Sequence, residues 1–423
     1  MANQTDDMTS TQAVSNRARS KEKSATEGYS LATITFWLAF GTFVIGCSEF
    51  AAMGLLPYFA EDFGITENVA GHAISAYAIG VVVGAPLITI FFSRLARRTM
   101  LISMMVFYAG GNLLTALAWS EWTMNIARFI AGLPHGAYFG IAMLFAADIA
   151  GKNKRAQAVS NIILGLAIAN IIGVPSISGI GQMFGWRTGF FIISAFALVT
   201  ALMVWKTAPY RGPNPDAKPL TELKALKNKD VLLVLLMGAI GFGGMFSVYS
   251  YFSASYLNTT SAPEWGISAT LLIYGIGVTL GNIIAGRYSE GRLLTSAIVF
   301  QVLLGLSAAA YAASMGHPYL MAASLFFIGI GGGMVVPLQT RLMDVAGEAQ
   351  TLAGAMNHAA FNTANALGPW LAGMALSAGF GYTSTGWVGL ALAGGGVLVW
   401  LAIVMTARNT QVKTATVSGQ MNV

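Results

Sequence analysis

The sequence predicts an all-α membrane protein, with twelve transmembrane helices in two pseudo-symmetric six-helix bundles. Composition identifies the solvent. Of 423 residues, 55% are hydrophobic and 9% charged, with a mean hydropathy of +0.65, whereas about a quarter of a soluble domain is charged. Apolar runs of about 20 residues, enough at 1.5 Å per residue to cross a ~30 Å hydrocarbon core, recur along the chain. A charged, Pro-rich break, KTAPYRGPNPDAKPLTELKALKNKD, divides those runs six and six. Helices are the form they take, because backbone groups in lipid must pair within their own segment and the period-two pattern of barrel strands is absent.

Residues 1–30 are polar, contain SNRARSKEK and no cleavage site, and read as a disordered cytoplasmic tail. The first bundle, 31–206, holds spans near 33–58, 69–92, 99–119, 122–147, 157–182 and 186–206. A cytoplasmic linker covers 207–230. The second bundle, 231–407, holds spans near 231–257, 267–287, 294–314, 318–340, 351–378 and 386–406, and residues 408–423 form a second cytoplasmic tail. The single cysteine, Cys47, lies in the first span and has no disulfide partner in the chain.

Orientation follows from Lys and Arg, which stay in short cytoplasmic loops. With both termini inside, all 23 of them except Arg128 and Arg187 are cytoplasmic, while the opposite loops carry Glu61, Asp62, Glu67, Glu121 and Glu264. The net charge of +6 then reflects topology and attraction to an anionic leaflet, not nucleic-acid binding. The stretches AYAIGVVVG (76–84) and IYGIGVTLG (273–281) agree at Tyr77/Tyr274, Ile79/Ile276, Gly80/Gly277, Val81/Val278 and Gly84/Gly281, each in the second span of its half. Two related six-helix halves around a midplane site are the architecture of a large class of secondary transporters.

Within the spans, ionisable residues are costly unless paired or facing water, so Glu49 and Arg128 are informative. Both lie at similar depth. One reading has Glu49 binding and releasing a proton in a central cavity, with Arg128 modulating its ionisation or polarising substrate; the other is a structural pair. His135, seven residues after Arg128 on the same helical face, binds substrate or relays protons, or else packs. In the eleventh span His358, Asn362 and Asn365 form a polar stripe at i, i+4 and i+7, suited to hydroxyls of a sugar or nucleoside or to interhelical hydrogen bonding. The seventh span offers Phe242, Phe246, Tyr249 and Tyr256 for stacking on a ring, or for packing. The fifth carries Gly165, Asn170, Gly173, Pro175, Gly179 and Gly181, small residues for close approach and a proline for a bend. Asp148 ends the fourth span beside the loop of Arg94, Arg97 and Arg98, where an ion pair would latch an inner gate. Four histidines without ligand spacing exclude a metal site.

SEFAAMGLLP in the first span, AGHAISAYAIGVVVGAP in the second, RFIAGLPHGAYFG in the fourth, GLAIANIIGVPSISGIGQMFGWRTGFF through the fifth and AGAMNHAAFNTANALGPWLAG in the eleventh together carry a family resemblance. The chain resembles the major facilitator superfamily over about residues 33–406, in particular its bacterial drug-and-sugar proton antiporter branch and the arabinose efflux permease-like members. The resemblance implies a bacterial inner-membrane protein acting as a monomer. It also places an Arg at the position of Arg128 in proton-coupled exporters and makes Gly173 and Pro175 a variant of the antiporters' Gly-Pro motif. Together with the reading of the residues, the expected roles are proton coupling for Glu49 and Arg128, gating for Asp148, Arg94, Arg98, Gly173 and Pro175, and substrate contact for His135, Tyr138, Asn170, Tyr249, His358, Asn362 and Asn365. One departure stands out: in TIFFSRLARRTM, Ser93 occupies the place where the superfamily's second loop carries an acid.

The function expected is export of a small neutral or weakly polar solute (sugar, nucleoside or drug such as a phenicol) driven by the proton gradient, with no cofactor. Proton-coupled uptake is the alternative. A sensor would carry a soluble signalling domain, and the longest soluble segment here is about 30 residues. An enzyme or primary pump would need a nucleophile with its base or a phosphate cradle, and the glycines of GIGGGMVV lack the Lys and Ser/Thr of a P-loop.

Overall fold

The structure, a computed structural model, describes residues 29–92, 94–151, 154–212, 228–289, 291–346 and 350–420. Nearly all of the expected N-terminal tail, the middle of the linker and Ser93 lie outside the described residues. Among those described there is no strand. Eleven helices are long and apolar enough to cross a membrane: α1 Leu31–Gly54, α2 Glu67–Ile88, α3 Arg97–Ala116, α4 Glu121–Ala150, α5 Gln157–Phe184, α6 Trp186–Thr207, α7 Lys229–Thr259, α8 Trp265–Tyr288, α9 Leu293–Ala313, α10 Pro318–Ala346, and α12, whose apolar stretch is Thr383–Thr406. The remaining long helix, α11, spans Gln350–Ser377. Its 28 residues reach about 42 Å, ample for a crossing; Asn357, His358, Asn362 and Asn365 make it more polar than the others. The last helix continues to Gln420, past the end expected for its span.

Prolines and glycines set where these helices break. Pro57 starts a short helix, Leu56–Phe63, beyond the end of α1, because a proline cannot donate to the turn behind it. In α5 the missing N–H of Pro175 displaces the ladder, and Ala169–Gly173 winds as a π turn. Helix α4 is interrupted between Gly132 and His135, at Pro134, and α10 tightens to a 3₁₀ turn at Gly332–Met334 ahead of Pro337.

The repeat read from the sequence is a repeat of packing. A Cβ on Gly80 would stand 2.2 Å from the Phe129 carbonyl oxygen, one on Gly84 2.0 Å from that of Leu133, and one on Gly132 2.1 Å from that of Tyr77. In the second half the same relations bring Gly277 to Phe326 (2.3 Å), Gly281 to Ile330 (2.4 Å) and Gly329 to Tyr274 (2.7 Å). All six pairs correspond at one constant sequence offset. Thus α2 crosses α4, and α8 crosses α10, through backbone contacts that only glycine permits. The halves meet where α2 packs on α11 and where α5 packs on α8. Gly275 completes the second seam: its Cβ would lie 2.2 Å from the Asn170 carbonyl oxygen.

The ends of the helices form two faces. One, the acidic face, carries Glu61, Asp62, Glu67, Glu121 and Glu264. Arg187, a cation among them, donates to Asp62 Oδ2 at 2.7 Å. The other, the basic face, carries Arg94, Arg97, Arg98, Arg287, Arg292 and Arg341.

Candidate functional site

Helix α1 places Ser48 and Glu49 on the acidic side of mid-membrane, and both are buried, Glu49 being 5% exposed. Glu49 sits on the seam between the halves. Its Oε1 accepts from Asn365 Nδ2 of α11 at 3.0 Å, and its Oε2 lies 4.0 Å from His135 Nε2 of α4. His135 Nδ1 is 3.0 Å from the Tyr77 hydroxyl, which is 2.9 Å from the Tyr108 hydroxyl. A buried polar line therefore runs from α11 through α1, α4 and α2 to α3.

Arg128 makes no ion pair with Glu49. Its Nη1 donates to Ser48 Oγ at 3.1 Å and its Nη2 to the Ser48 carbonyl oxygen at 3.2 Å, while the guanidinium lies 4.2 Å over the Tyr77 ring. Ser48 in turn donates to Asn112 Oδ1 at 2.5 Å. At 1% exposure an unpaired guanidinium would be very costly, and hydrogen bonds with an aromatic face offset that cost. The arrangement gives Arg128 a grip on the turn that carries Glu49. Sequence reasoning missed Ser48, Tyr108 and Asn112 as partners and knew Tyr77 only as a repeat residue. Asn112, an amide in the middle of an apolar span, was the available signal.

The remaining candidates divide. The imidazoles of His135 and His358 both flank Phe139, at centroid distances of 5.3 and 5.1 Å, so α4 and α11 meet through tilted ring contacts. Tyr249 packs at a tilt against Tyr274 at 4.3 Å and meets the edge of Phe50 at 6.0 Å; Phe50 and Phe246 lie parallel across the seam. Phe50 follows Glu49 directly in sequence, and Phe246 and Tyr249 pack on it. Asn362 Nδ2 bonds its own helix at the His358 carbonyl, and its Oδ1, like that of Asn365, is buried with no partner. Two residues turn away from the seam's polar line: Tyr138 donates to the Leu38 carbonyl of α1, and Asn170 Nδ2 to the Leu166 carbonyl of α5. Gly173 abuts α1, where a Cβ would stand 2.3 Å from Cys47 Sγ, so the π turn before Pro175 is what lets α5 reach both α1 and α8.

Asp148 pairs with Arg97, while Arg98 donates to the Trp205 carbonyl and Arg94 is exposed. All of these contacts stay within the first half. In this conformation the Arg97–Asp148 pair ties α3 to α4 and does not itself bridge the halves. The side-chain hydrogen bonds between described residues that do cross include Glu49–Asn365, Ser75 to the Ala366 carbonyl at 3.1 Å, Tyr58–Glu264 at 3.3 Å, Asn258–Glu67 at 3.2 Å, Asn68–Ser377 at 2.6 Å and Ser268–Gln182 at 3.5 Å. Each lies at mid-membrane or toward the acidic face. Burial first, and then the Glu67 carboxylate of the other half, push the Tyr382 hydroxyl up. Among the described residues, the side-chain bonds between the halves thus gather toward the acidic face.

Comparison with known proteins places this geometry among transporters. The family described as Major Facilitator Superfamily matches residues 38–369. The inner membrane transport protein YdhP of Escherichia coli K12 is 36% identical over 88% of this chain and 95% of its own length. A chloramphenicol resistance protein of Streptomyces lividans is 30% identical over 81% of this chain and 88% of its own. Among solved structures, that of the nucleoside transporter NupG (D323A mutant) superposes with a TM-score of 0.73 over 89% of this chain and 99% of that one, at 15% identity, a likeness of fold.

Proposed function

The chain belongs to the major facilitator superfamily, and we propose that this membrane transporter exports a small neutral or weakly polar solute in exchange for protons. The observation that carries the proposal is the hydrogen bond from Asn365 to Glu49 across the seam. A carboxylate only accepts, while a carboxylic acid also donates. Asn365 offers both a donor and an Oδ1 that is without a partner here, so either charge state of Glu49 can be bonded, in different arrangements. A titrating group whose bonding spans the two moving halves couples its proton to their relative position.

The remaining groups favour an uncharged solute. Arg128 is already engaged by Ser48 and Tyr77, which leaves Asn362, Asn365 and His358 as neutral donors and acceptors and the Phe50, Phe246, Tyr249 and Tyr274 rings as an apolar wall. A ring-shaped molecule with a few hydroxyl or amide groups matches that lining. The resistance named for the Streptomyces relative is in keeping with outward transport of a phenicol-like drug. Proteoliposomes given an imposed pH gradient and a panel of a phenicol, a pentose and a nucleoside are expected to move one of them uphill against proton flow. Uphill movement together with protons would make the protein an uptake carrier, and gradient-independent movement would make it a facilitator.

The export direction requires the basic face to be cytoplasmic, in a bacterial inner membrane with both termini inside. Cys47 is buried, so single cysteines can be introduced against a silent background. Those placed at 59–68 and 258–266 are expected to react with an impermeant maleimide in intact cells, and those placed at 211–229 are not. The reverse pattern would invert the orientation.

A further inference from the structure

On the basic face of the second half, away from Glu49, a cavity of about 740 Å³ opens between the end of α8, the start of α9 and the last turns of α10. Its polar lining is Ser289, Arg292, Thr295, Thr340, Arg341 and Asp344. The Arg341 Nε is buried and has no hydrogen-bond partner. No ion pair joins Arg292, Arg341 or Asp344 to one another or to any other described residue. This is unusual: in the first half, Arg97 and Asp148 of the same face find each other. Arg292 stands immediately before α9, and Leu293, Leu294 and Thr295 of that helix's first turn, where N–H groups lack intrahelical partners, line the same cavity. Gly291, just before Arg292, sits at φ 69°, a conformation that glycine takes without strain.

We infer that this cavity binds a phosphate group, held by Arg292 and Arg341. Guanidinium forks match phosphate oxygens, and an orphaned buried N–H of an arginine gains most from an anionic acceptor. Among the described lining residues the two guanidiniums and the Asp344 carboxylate sum to one net cation, which suits a singly charged phosphodiester and leaves a carboxylate to accept from a headgroup hydroxyl. Tyr288, 69% exposed beside Ser289, occupies the place of an interfacial aromatic. A phospholipid headgroup and free inorganic phosphate share this chemistry.

The test uses the purified full-length protein, native mass spectrometry with dioleoyl phosphatidylglycerol or uncharged dioleoylglycerol, and a separate titration with inorganic phosphate. Saturable retention of phosphatidylglycerol but not of dioleoylglycerol is expected. Retention should weaken at least about tenfold in Arg292→Gln/Arg341→Gln, the scale of lost charge-assisted hydrogen bonds. Gly286→Leu is the second variant: Gly286 lines the cavity and a Cβ there meets nothing within 4 Å, so the leucine fills the space with both arginines in place and should weaken retention as well. Binding of inorganic phosphate alone, lost in the same variants, would uphold the site and assign it to the free anion. Unchanged affinity for both ligands in the double variant and in Gly286→Leu would overturn it.

Discussion

A Glu49→Gln transporter is expected to bind its solute and to exchange it across the membrane, yet to fail to concentrate it. Glutamine keeps the size of the side chain and can still accept from Asn365 Nδ2, whose bond to Glu49 is 3.0 Å, so the seam between α1 and α11 should close as before. What is lost is the change of charge. With the group fixed at zero, proton and solute occupancy can no longer oppose each other, and a coupling of about 1–3 kcal/mol, equivalent to roughly 5–150-fold in affinity, disappears. Two readouts separate this from a structural defect: proton release on adding solute to the purified protein should vanish, while solute-for-solute exchange persists. Proton-driven uphill transport by the Gln variant in everted vesicles, at the wild-type level, would make Glu49 a structural hydrogen-bonding group.

Arg128→Lys should be nearly as damaging although it conserves charge. The guanidinium uses two nitrogens on Ser48 Oγ and the Ser48 carbonyl while its plane covers the Tyr77 ring. An ammonium is shorter and tetrahedral and cannot make these contacts together. Loss of one charge-assisted hydrogen bond costs about 1.5–3 kcal/mol, and a desolvated cation–π contact adds about 2 kcal/mol. With roughly half of that loss falling on the transport step, the uphill rate is expected to fall by about 10- to 100-fold, with the variant still folded and inserted. Since Arg128 reaches Glu49 through the Ser48 turn, the pH profile of transport should also move in the variant. Wild-type rate and pH profile in Arg128→Lys would reduce the residue to a space-filling cation.

Part of this site was legible because the membrane makes polar groups expensive. Glu49 and Arg128 stood out in spans with no other charge, and His358, Asn362 and Asn365 stood out as a stripe on α11. The partners of Arg128 were not legible. Serine, tyrosine and asparagine occur in many spans as harmless residues that bond their own helix, as Asn170 does with Leu166. Nothing in a single sequence marks Ser48 and Tyr77 as the residues that take up the guanidinium. The grouping of Asp148 with the basic loop was readable from depth along α4, but the choice of Arg97 over its neighbours depends on helix rotation.

By itself the sequence determined the solvent, the number and approximate ends of the long helices, the division into halves and the glycine pattern repeated between Tyr77–Gly84 and Tyr274–Gly281. Each of these follows from local rules: how many apolar residues cross a bilayer, and where backbone hydrogen bonds can and cannot be made. Only the tertiary structure decided that the repeated glycines face carbonyl oxygens of α4 and α10, that Glu49 bonds Asn365 and not Arg128, and that the described contacts between halves gather toward the acidic face. Those outcomes depend on how six helices rotate and tilt against six others, and in lipid that is settled by close packing and polar pairing between distant segments rather than by hydrophobicity along any one of them.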